Sequence, residues 1–478
     1  MPKMVFIEPR PPNLHVFSEF PLPRLGALIL GTMMKQRGWD VEVYVEDLRR
    51  IDYDAVAAAD LVGISTITST APRAYAIADK VRAMGRTVLM GGPHVTFLAG
   101  EALDHADFVF RGEGERPLTA FVDAWENGLD PTGTPNLSFL AADGRIVHNP
   151  LLPMESDLDR IPYPDLSLLK PDPRRRKFQP PIPVQTSRGC PFACSFCSVT
   201  GMFGKKYRFR STENVIEELR RYDRSPNAVF FYDDNFAADR GRTKELLEAM
   251  IREGFKFPWT TQVRADLARD TELVRLMKEA GCHTVYIGFE SVNPRSLDGM
   301  KKKQTVADLV RAARVLRRHK INIHGMFVLG FDEDDWPSVK ETVKFATRSR
   351  LSTTQFLILT PLPGSEFYDK MSAAKRLRFR DWSLYDAHHV VFEPALFSLS
   401  DLQKAQLYCH RKFYSLKQVF RKALAGQWLA VGVAHYARKL NRTWVKRNRT
   451  FLRVIALLKP RPGPRISVDY REDVSLEL

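Results

Sequence analysis

The chain has 478 residues, 44% hydrophobic and 27% charged, the balance of a globular protein of two to four domains. Five cysteines are too few for a disulfide scaffold, and no run of about 18 apolar residues offers a membrane span. The net charge of +16 is confined to one end: sixteen Lys and Arg and no Asp or Glu lie between Leu402 and Val468, so everything else sums to zero, which argues against a nucleic-acid channel lined by every domain.

The opening "MPKMVFIEPRPP" lacks the basic-then-apolar layout of a signal peptide, so a reducing, cytoplasmic location is expected. "KMVFIEP" is a short apolar strand. "LGALILGTMMKQRG" has helical spacing and stops at Gly38, and "DVEVYVED" alternates with period two. "DLVGIST", "RTVLMGGPH" and "ADFVFRGEGE" are further buried strands, with the helix "TAPRAYAIADKVRAMG" between two of them. Strand and helix in alternation predict an α/β fold, here a doubly wound parallel sheet over residues 1–135. Ligands of such sheets lie beyond the carboxyl ends of the strands. Those ends carry Gly63, Ser65, Thr66, Gly91, Gly92, Pro93, Gly112 and Gly114, small residues that make a wide mouth open to close backbone approach.

Residues 136–180 are expected to link the domains, with "GLDPTGTPNLSFLAADGRIVHNP" forming a small hairpin and "DLDRIPYPDLSLLKPDPRRRKFQPP" an extended stretch. Alternation resumes over residues 181–375. The strands "PIPVQ", "NAVFFYDDNF", "FPWTTQVRADL", "HTVYIGFES", "NIHGMFVLGF" and "TTQFLILTPLPG" are separated by amphipathic helices. Six such units predict a partial (β/α)6 barrel with its chemistry at the strand ends. Residues 376–478 are expected to form a basic helical region.

"TSRGCPFACSFCSVTGMFGKKYRFRS" follows the first barrel strand and holds Cys190, Cys194 and Cys197. A structural zinc site wants four ligands and a disulfide framework an even number in a secreted chain, so neither fits. C-x3-C-x2-C on a loop can bring three thiolates to three corners of a [4Fe–4S] cluster, where four are normal. The remaining iron, without a protein ligand, can chelate the amino and carboxylate groups of S-adenosylmethionine and feed an electron to its sulfonium. The product of that cleavage is a 5'-deoxyadenosyl radical. Cys282 and Cys409 lie far off and are expected to be ordinary buried or surface thiols.

This constellation resembles the radical S-adenosylmethionine superfamily. The resemblance implies that Phe196 covers the cluster or lies near the adenine. It implies that Asp233 and Asp234 of "FYDDNF" meet the amino group of S-adenosylmethionine, and that Arg264 of "QVRADL" meets its carboxylate or ribose. Gly288 and Glu290 of "YIGFES" suit ribose hydroxyls, and Gly330 of "GMFVLGF" lets backbone pass the adenine. "PLPRLGALILGTMMKQRG", "VGIST", "MGGPHVT" and "FRGEGE" look like the cobalamin-binding domain that precedes the barrel in the cobalamin-dependent class, which makes the strand-end residues Gly63, Ser65, Thr66, Gly91, Gly92, Gly112 and Gly114 corrin contacts. The D-x-H-x-x-G motif that supplies a lower axial histidine is absent, which puts lower-face ligation in doubt.

Members of this layout resemble one another as methyltransferases for unreactive carbons, so the resemblance implies methylation of an sp3 carbon through a 5'-deoxyadenosyl radical and methylcobalamin. An electron donor such as flavodoxin or ferredoxin is implied too. The tail "FYSLKQVFRKALAGQWLAVGVAHYARKLNRTWVKRNRTFLRVIALLK" interleaves aromatic and aliphatic residues with Lys and Arg, as helices on anionic membrane surfaces do, although a helical cap on the barrel with a solvated basic face fits equally. A peripheral place on the inner membrane face and a lipid substrate are therefore expected, and the layout is similar to the hopanoid C-3 methylase type. The rivals are a cobalamin-dependent cyclase or carbon–carbon coupling enzyme acting on a lipid or tetrapyrrole, and a tRNA methylthiotransferase, which would need cysteines that the N-terminal domain lacks. A non-catalytic nucleic-acid binder is the last, and it leaves the cysteine loop unexplained; no nucleic acid is expected as a partner.

Overall fold

The computed structural model describes residues 1–13, 22–169 and 180–458. Residues 14–21, connector residues 170–179 and the end of the basic tail, with Lys459, Arg461 and Arg465, lie outside the described residues.

The first sheet contains β1 (Lys3–Glu8), β2 (Asp40–Val45), β3 (Leu61–Ser65), β4 (Thr87–Gly91) and β5 (Phe108–Phe110), all parallel, in the order β2-β1-β3-β4-β5. Four of the five strands have at least three consecutive buried residues because helices cover both faces. Leu25–Gln36 and Glu115–Glu126 pack on the side of Met4, Phe6 and Leu89. Ala71–Ala83 packs on the side of Val5, Ile7 and Val62. The hairpin expected in the connector is instead the antiparallel edge of this sheet: β6 (Leu137–Leu140) pairs with β5, and β7 (Ile146–His148) pairs with β6. Leu137 supplies the reason, since it is fully buried in the core beside Phe110 and Phe121.

The second sheet is built from β8 (Ile182–Val184), then, after the short antiparallel ribbon β9 (Ser187–Arg188) and β10 (Arg208–Phe209), from β11 (Val229–Phe231), β12 (Trp259–Val263), β13 (Cys282–Glu290), β14 (Asn322–Leu329) and β15 (Thr353–Ile358). The six large strands are parallel and lie in chain order, with β8 and β15 as unpaired edges, so the barrel is partial, as expected. Strand parity sends Phe231, Val285, Ile287 and Phe327 into the helical layer and leaves Phe230, Gln262, Tyr286 and Met326 half-buried on the inner face.

The C-terminal helices Leu399–Phe413, Leu416–Leu424, Trp428–Arg447 and Arg449–Leu457 continue the barrel core rather than standing apart from it. Leu402, Cys409, Phe413, Ala434 and Ile455 are buried with the barrel residues, and Cys282 is buried there too. No helix among the described residues is long and apolar enough to cross a membrane.

Two joints fasten the sheets together. Arg188 of β9 donates to Glu115 at 2.6 Å and pairs with Glu113 at 3.3 Å, while Arg208 of β10 pairs with Glu113 at 2.7 Å. The second joint is steric. Phe97 wedges between Gly201 and Gly364: a Cβ on Gly201 would meet the ring at 3.1 Å, and one on Gly364 would collide with it.

Candidate active site

The cysteine loop leaves β8 through a turn clamped from β11. Asp233 is fully buried and accepts from the Thr186 N–H at 3.0 Å, the Thr186 hydroxyl at 3.1 Å, the Ser187 hydroxyl at 2.6 Å and the Ser187 N–H. Gly189 follows at φ +84°, where a Cβ would lie 2.8 Å from the Lys206 carbonyl. The loop is then tied by Ser195 N–H to the Met300 carbonyl at 3.2 Å and by Phe367 N–H to the Ser195 carbonyl at 2.8 Å.

Cys190, Cys194 and Cys197 are all partly exposed in this loop. Burial pushes all three thiols up, Cys197 to about 12, and the charges of its two neighbours add to the rise at Cys197. The thiols thus share one space, and metal must displace their protons. No three His, Cys, Asp or Glu side chains among the described residues stand close enough to hold a single metal ion. Three thiols that feel one another's charge on one loop fit an iron–sulfur cluster, whose usual ligands are thiolates. Arg264 and Lys302 favour the thiolate at Cys194.

Asp234 faces the same space, and its charge is felt at Cys190 and Cys197. Surrounding protein pushes its carboxyl up to about 7, Asp233 adds to the rise, and the Gly189 N–H opposes it. The side chain is nonetheless open to solvent within the cleft, so it can meet a cationic amino group. Asp233 cannot do so. Its oxygens are consumed by the β8–β9 turn, which corrects the expectation that both aspartates meet the cofactor.

Arg264 lies 3.7 Å over the Phe192 ring, bonds Asp266 at 3.2 Å and donates to the Lys302 carbonyl. It braces the cysteine loop, so the structure gives it that task rather than a free guanidinium for a carboxylate or ribose. Glu290 is in the left-handed region at φ +59°, where β13 and β14 slip register, and it pairs with Lys302. Lys302 also donates to the Gly288 carbonyl at 2.7 Å, and a Cβ on Gly288 would collide with the Glu290 carboxylate. Gly288 and Glu290 are therefore joined through Lys302, which the sequence hides as one of three consecutive lysines. Phe196 stacks edge-on to Phe331 at 6.1 Å, which ties the cysteine loop to the end of β14. Gly330, at φ +112°, has Leu402 2.8 Å from its Cβ position; the C-terminal helix fills that side, so packing alone already requires glycine there.

Between the two sheets lies a cavity of about 300 Å³. Gly63, Ser65, Gly91, Gly92, Gly112 and Gly114 line it from the first sheet, and Arg188, Met202, Phe203 and Tyr232 from the barrel side. Thr66 does not line it: its hydroxyl is bonded to the Gly91 carbonyl at 3.0 Å, and its backbone fills the space beside Gly92. Gly26, missed in the sequence, lines it too. At Gly26 and Gly91 a Cβ would meet nothing within 4 Å, so both leave the wall flat where a side chain would project. A flat, largely apolar wall beyond parallel strand ends fits a corrin plate. No histidine is among the described residues that line it.

Residues 184–388 match the radical SAM superfamily and residues 17–122 match the B12 binding domain. An uncharacterized methyltransferase of Pyrococcus horikoshii is 32% identical over 413 residues, 84% of this chain and 89% of its own length. The bacteriochlorophyllide d C-12(1)-methyltransferase of Chlorobaculum tepidum is 31% identical over 369 residues, 76% of each chain. The hopanoid C-3 methylase of Methylococcus capsulatus is more distant, 28% identical over 64% of this chain and 59% of its own, which corrects the specific resemblance to that type. In fold, the radical S-adenosylmethionine methyltransferase TsrM of Kitasatospora setae, solved with cobalamin and a [4Fe–4S] cluster, superposes with a TM-score of 0.67 over 78% of each chain at 19% identity. The cofactors are accordingly a [4Fe–4S] cluster, S-adenosylmethionine and cobalamin. The chain belongs to the B12-binding radical SAM family and is a cobalamin-dependent radical SAM methyltransferase.

Proposed function

We propose that the protein methylates an unactivated sp3 carbon of a large lipophilic substrate, a polycycle of the hopanoid or tetrapyrrole kind. The observation that carries this is the facing of the two cofactor spaces. Arg188, next to the cysteine loop, and Tyr232, two residues before Asp234, also wall the glycine-lined cavity. When bound, the cofactors supply one-electron cleavage of S-adenosylmethionine and a transferable methyl group. Cys190, Cys194 and Cys197 would hold the cluster. Asp234 receives the amino group of S-adenosylmethionine, Asp233 keeps the loop in register, and the Glu290–Lys302 pair sets the charge beside Cys194. Relatives acting on a bacteriochlorophyllide and a hopanoid support a greasy substrate class, because such molecules offer chiefly hydrocarbon to a binding site.

On this proposal the C-terminal helices rest on an anionic bilayer. Leu416, Phe420, Leu424 and Trp428 recur every four residues and are 64–74% exposed, with Lys417 and Arg421 exposed beside them. An exposed apolar ridge with a basic flank suits an interfacial helix. Trp444 is only 5% exposed and packs against His389 at 4.9 Å, so it cannot serve as a headgroup anchor beside Trp428. Lys422 is also withdrawn, donating to the Leu351 and Ser352 carbonyls at 2.8 and 2.6 Å.

The test is product mass. Reconstituted enzyme given S-adenosylmethionine labelled in its methyl group should add one labelled carbon per turnover to an extracted lipid. A product with unchanged carbon count would overturn methylation in favour of cyclisation.

A further inference from the structure

The base of the barrel, at the end opposite the cysteine loop, carries a cleft of about 560 Å³. It lies between the ends of helices Val306–Arg318 and Trp336–Arg348 and one side of helix Leu416–Leu424. Arg317, Lys320, Arg350, Arg421 and Lys422 line it, and no Asp or Glu is among the described residues that do. Cations from three separate elements thus gather about one space, and no carboxylate in its walls relieves their repulsion. Lys422 is buried and spends its ammonium on the Leu351 and Ser352 carbonyls at 2.8 and 2.6 Å, so those carbonyls are not free to repel an anion. Arg421 reaches Gln418 at 3.5 Å. Arg317, Lys320 and Arg350 are exposed and make no side-chain hydrogen bond or ion pair among the described residues. Attraction to a helix dipole fades within the last turn. It accounts for Arg317, but Lys320 and Arg350 each lie two residues beyond the end of their helix.

The cleft is continuous with the exposed ridge, because Leu424 belongs to both. Leu416, Phe420 and Leu424 form one stripe of their helix, and Arg421 stands between that stripe and the buried Lys422. Cations beside an apolar stripe match a molecule with an anionic head and hydrocarbon chains. A nucleic acid would bring the anion but would ask for rings to stack on, and the stripe is mostly leucine. The position also matters. Asn322, the first residue of β14, and Ser352, just before β15, line the cleft, whereas the cysteine loop leaves the far end of the parallel β8. β14 alone spans roughly 25 Å. The cleft is therefore remote from the reacting groups and suits an anchor rather than a cofactor subsite.

We propose that this cleft binds the phosphate headgroup of an anionic phospholipid through Arg317, Lys320, Arg350 and Arg421, with the acyl chains lying along the ridge of Leu416, Phe420 and Leu424. This rests on the reading that the C-terminal helices meet a bilayer, and deepens it: attachment has a discrete lipid site, and three of its four cations belong to the barrel and lie outside the basic tail.

The probe is dihexanoylphosphatidylglycerol, kept below its micelle-forming concentration and titrated into full-length protein, with dihexanoylphosphatidylcholine as the comparison without net charge. Saturable binding of about one lipid per chain is expected, roughly tenfold or more weaker for the choline lipid. Arg317→Gln with Lys320→Gln and Arg350→Gln should weaken binding of the glycerol lipid roughly tenfold or more, with iron content and corrin retention as checks of folding. Equal binding of the two lipids, or binding undiminished in the triple variant, overturns the site. A single-stranded RNA that binds more tightly than the lipid, and loses that binding in the triple variant, overturns the headgroup assignment in favour of nucleic acid. Lipid binding that follows the expected pattern in a wild-type protein that does not sediment with phosphatidylglycerol vesicles would leave the headgroup site standing and remove the bilayer proposal instead.

Discussion

Arg188 and Glu115 meet at 2.6 Å across the boundary between the two sheets, both largely buried. Burial alone would raise the Glu115 carboxyl, but the Arg188 charge and hydrogen bond overcome it and hold the group below its ordinary 4.5. A depressed carboxyl stabilises the fold above its unfolded value, and that contribution is lost as pH falls through the lower folded value. The joint is therefore expected to loosen below about pH 4.5. Arg188→Ala leaves Glu115 buried without its partner, while Glu113 keeps Arg208, and should cost about 3–5 kcal/mol. Denaturant melts at pH 7 and pH 4 check this: the gap between wild type and variant should narrow at the lower pH.

The cluster loop has its own control. Replacing Cys190, Cys194 and Cys197 with Ala should abolish iron binding, which by the three-thiolate reading is about four irons per chain. Cys409→Ala should leave iron content unchanged yet lower the melting temperature, because Cys409 is fully buried in the barrel core. Iron analysis after anaerobic reconstitution and a thermal melt separate the two effects.

Asp233→Ala should lower iron content although Asp233 touches no cofactor. It removes the acceptor for two backbone N–H groups and two hydroxyls, a loss of about 2–4 kcal/mol in a turn that positions Cys190. Asp234→Asn should keep the cluster and weaken S-adenosylmethionine binding. The two aspartates are neighbours in "FYDDNF" and chemically identical, so sequence could not part them. The turn that follows β11 does, pointing Asp233 into the protein and Asp234 into the cleft. The same limit hid Lys302 among three lysines, and hid the phase of the last long helix, which buries Trp444 while exposing Trp428. The strand order and the glycine mouth were legible because they depend on local pattern and on backbone freedom at strand ends. The antiparallel edge at β6 and β7 was not, since Leu137 finds its core only in three dimensions.

Membrane attachment should follow the exposed residues alone. Each basic group near an anionic leaflet contributes about 1 kcal/mol. Lys417→Gln with Arg421→Gln should reduce sedimentation with anionic liposomes, and Leu416→Ser with Phe420→Ser should reduce it further. Lys422→Gln should not, because its ammonium is spent on two carbonyls. Sedimentation at low and raised salt distinguishes the charge effect from the apolar one.

The wedge of Phe97 between Gly201 and Gly364 has a mechanical consequence. With a ring jammed between two side-chain-free positions and charged joints beside it, the halves of the molecule have no slack about which to gape. Traffic of a bulky molecule cannot then depend on prising them apart. The distance between the two cofactor spaces is thus set by packing at the seam, and would hold constant through turnover.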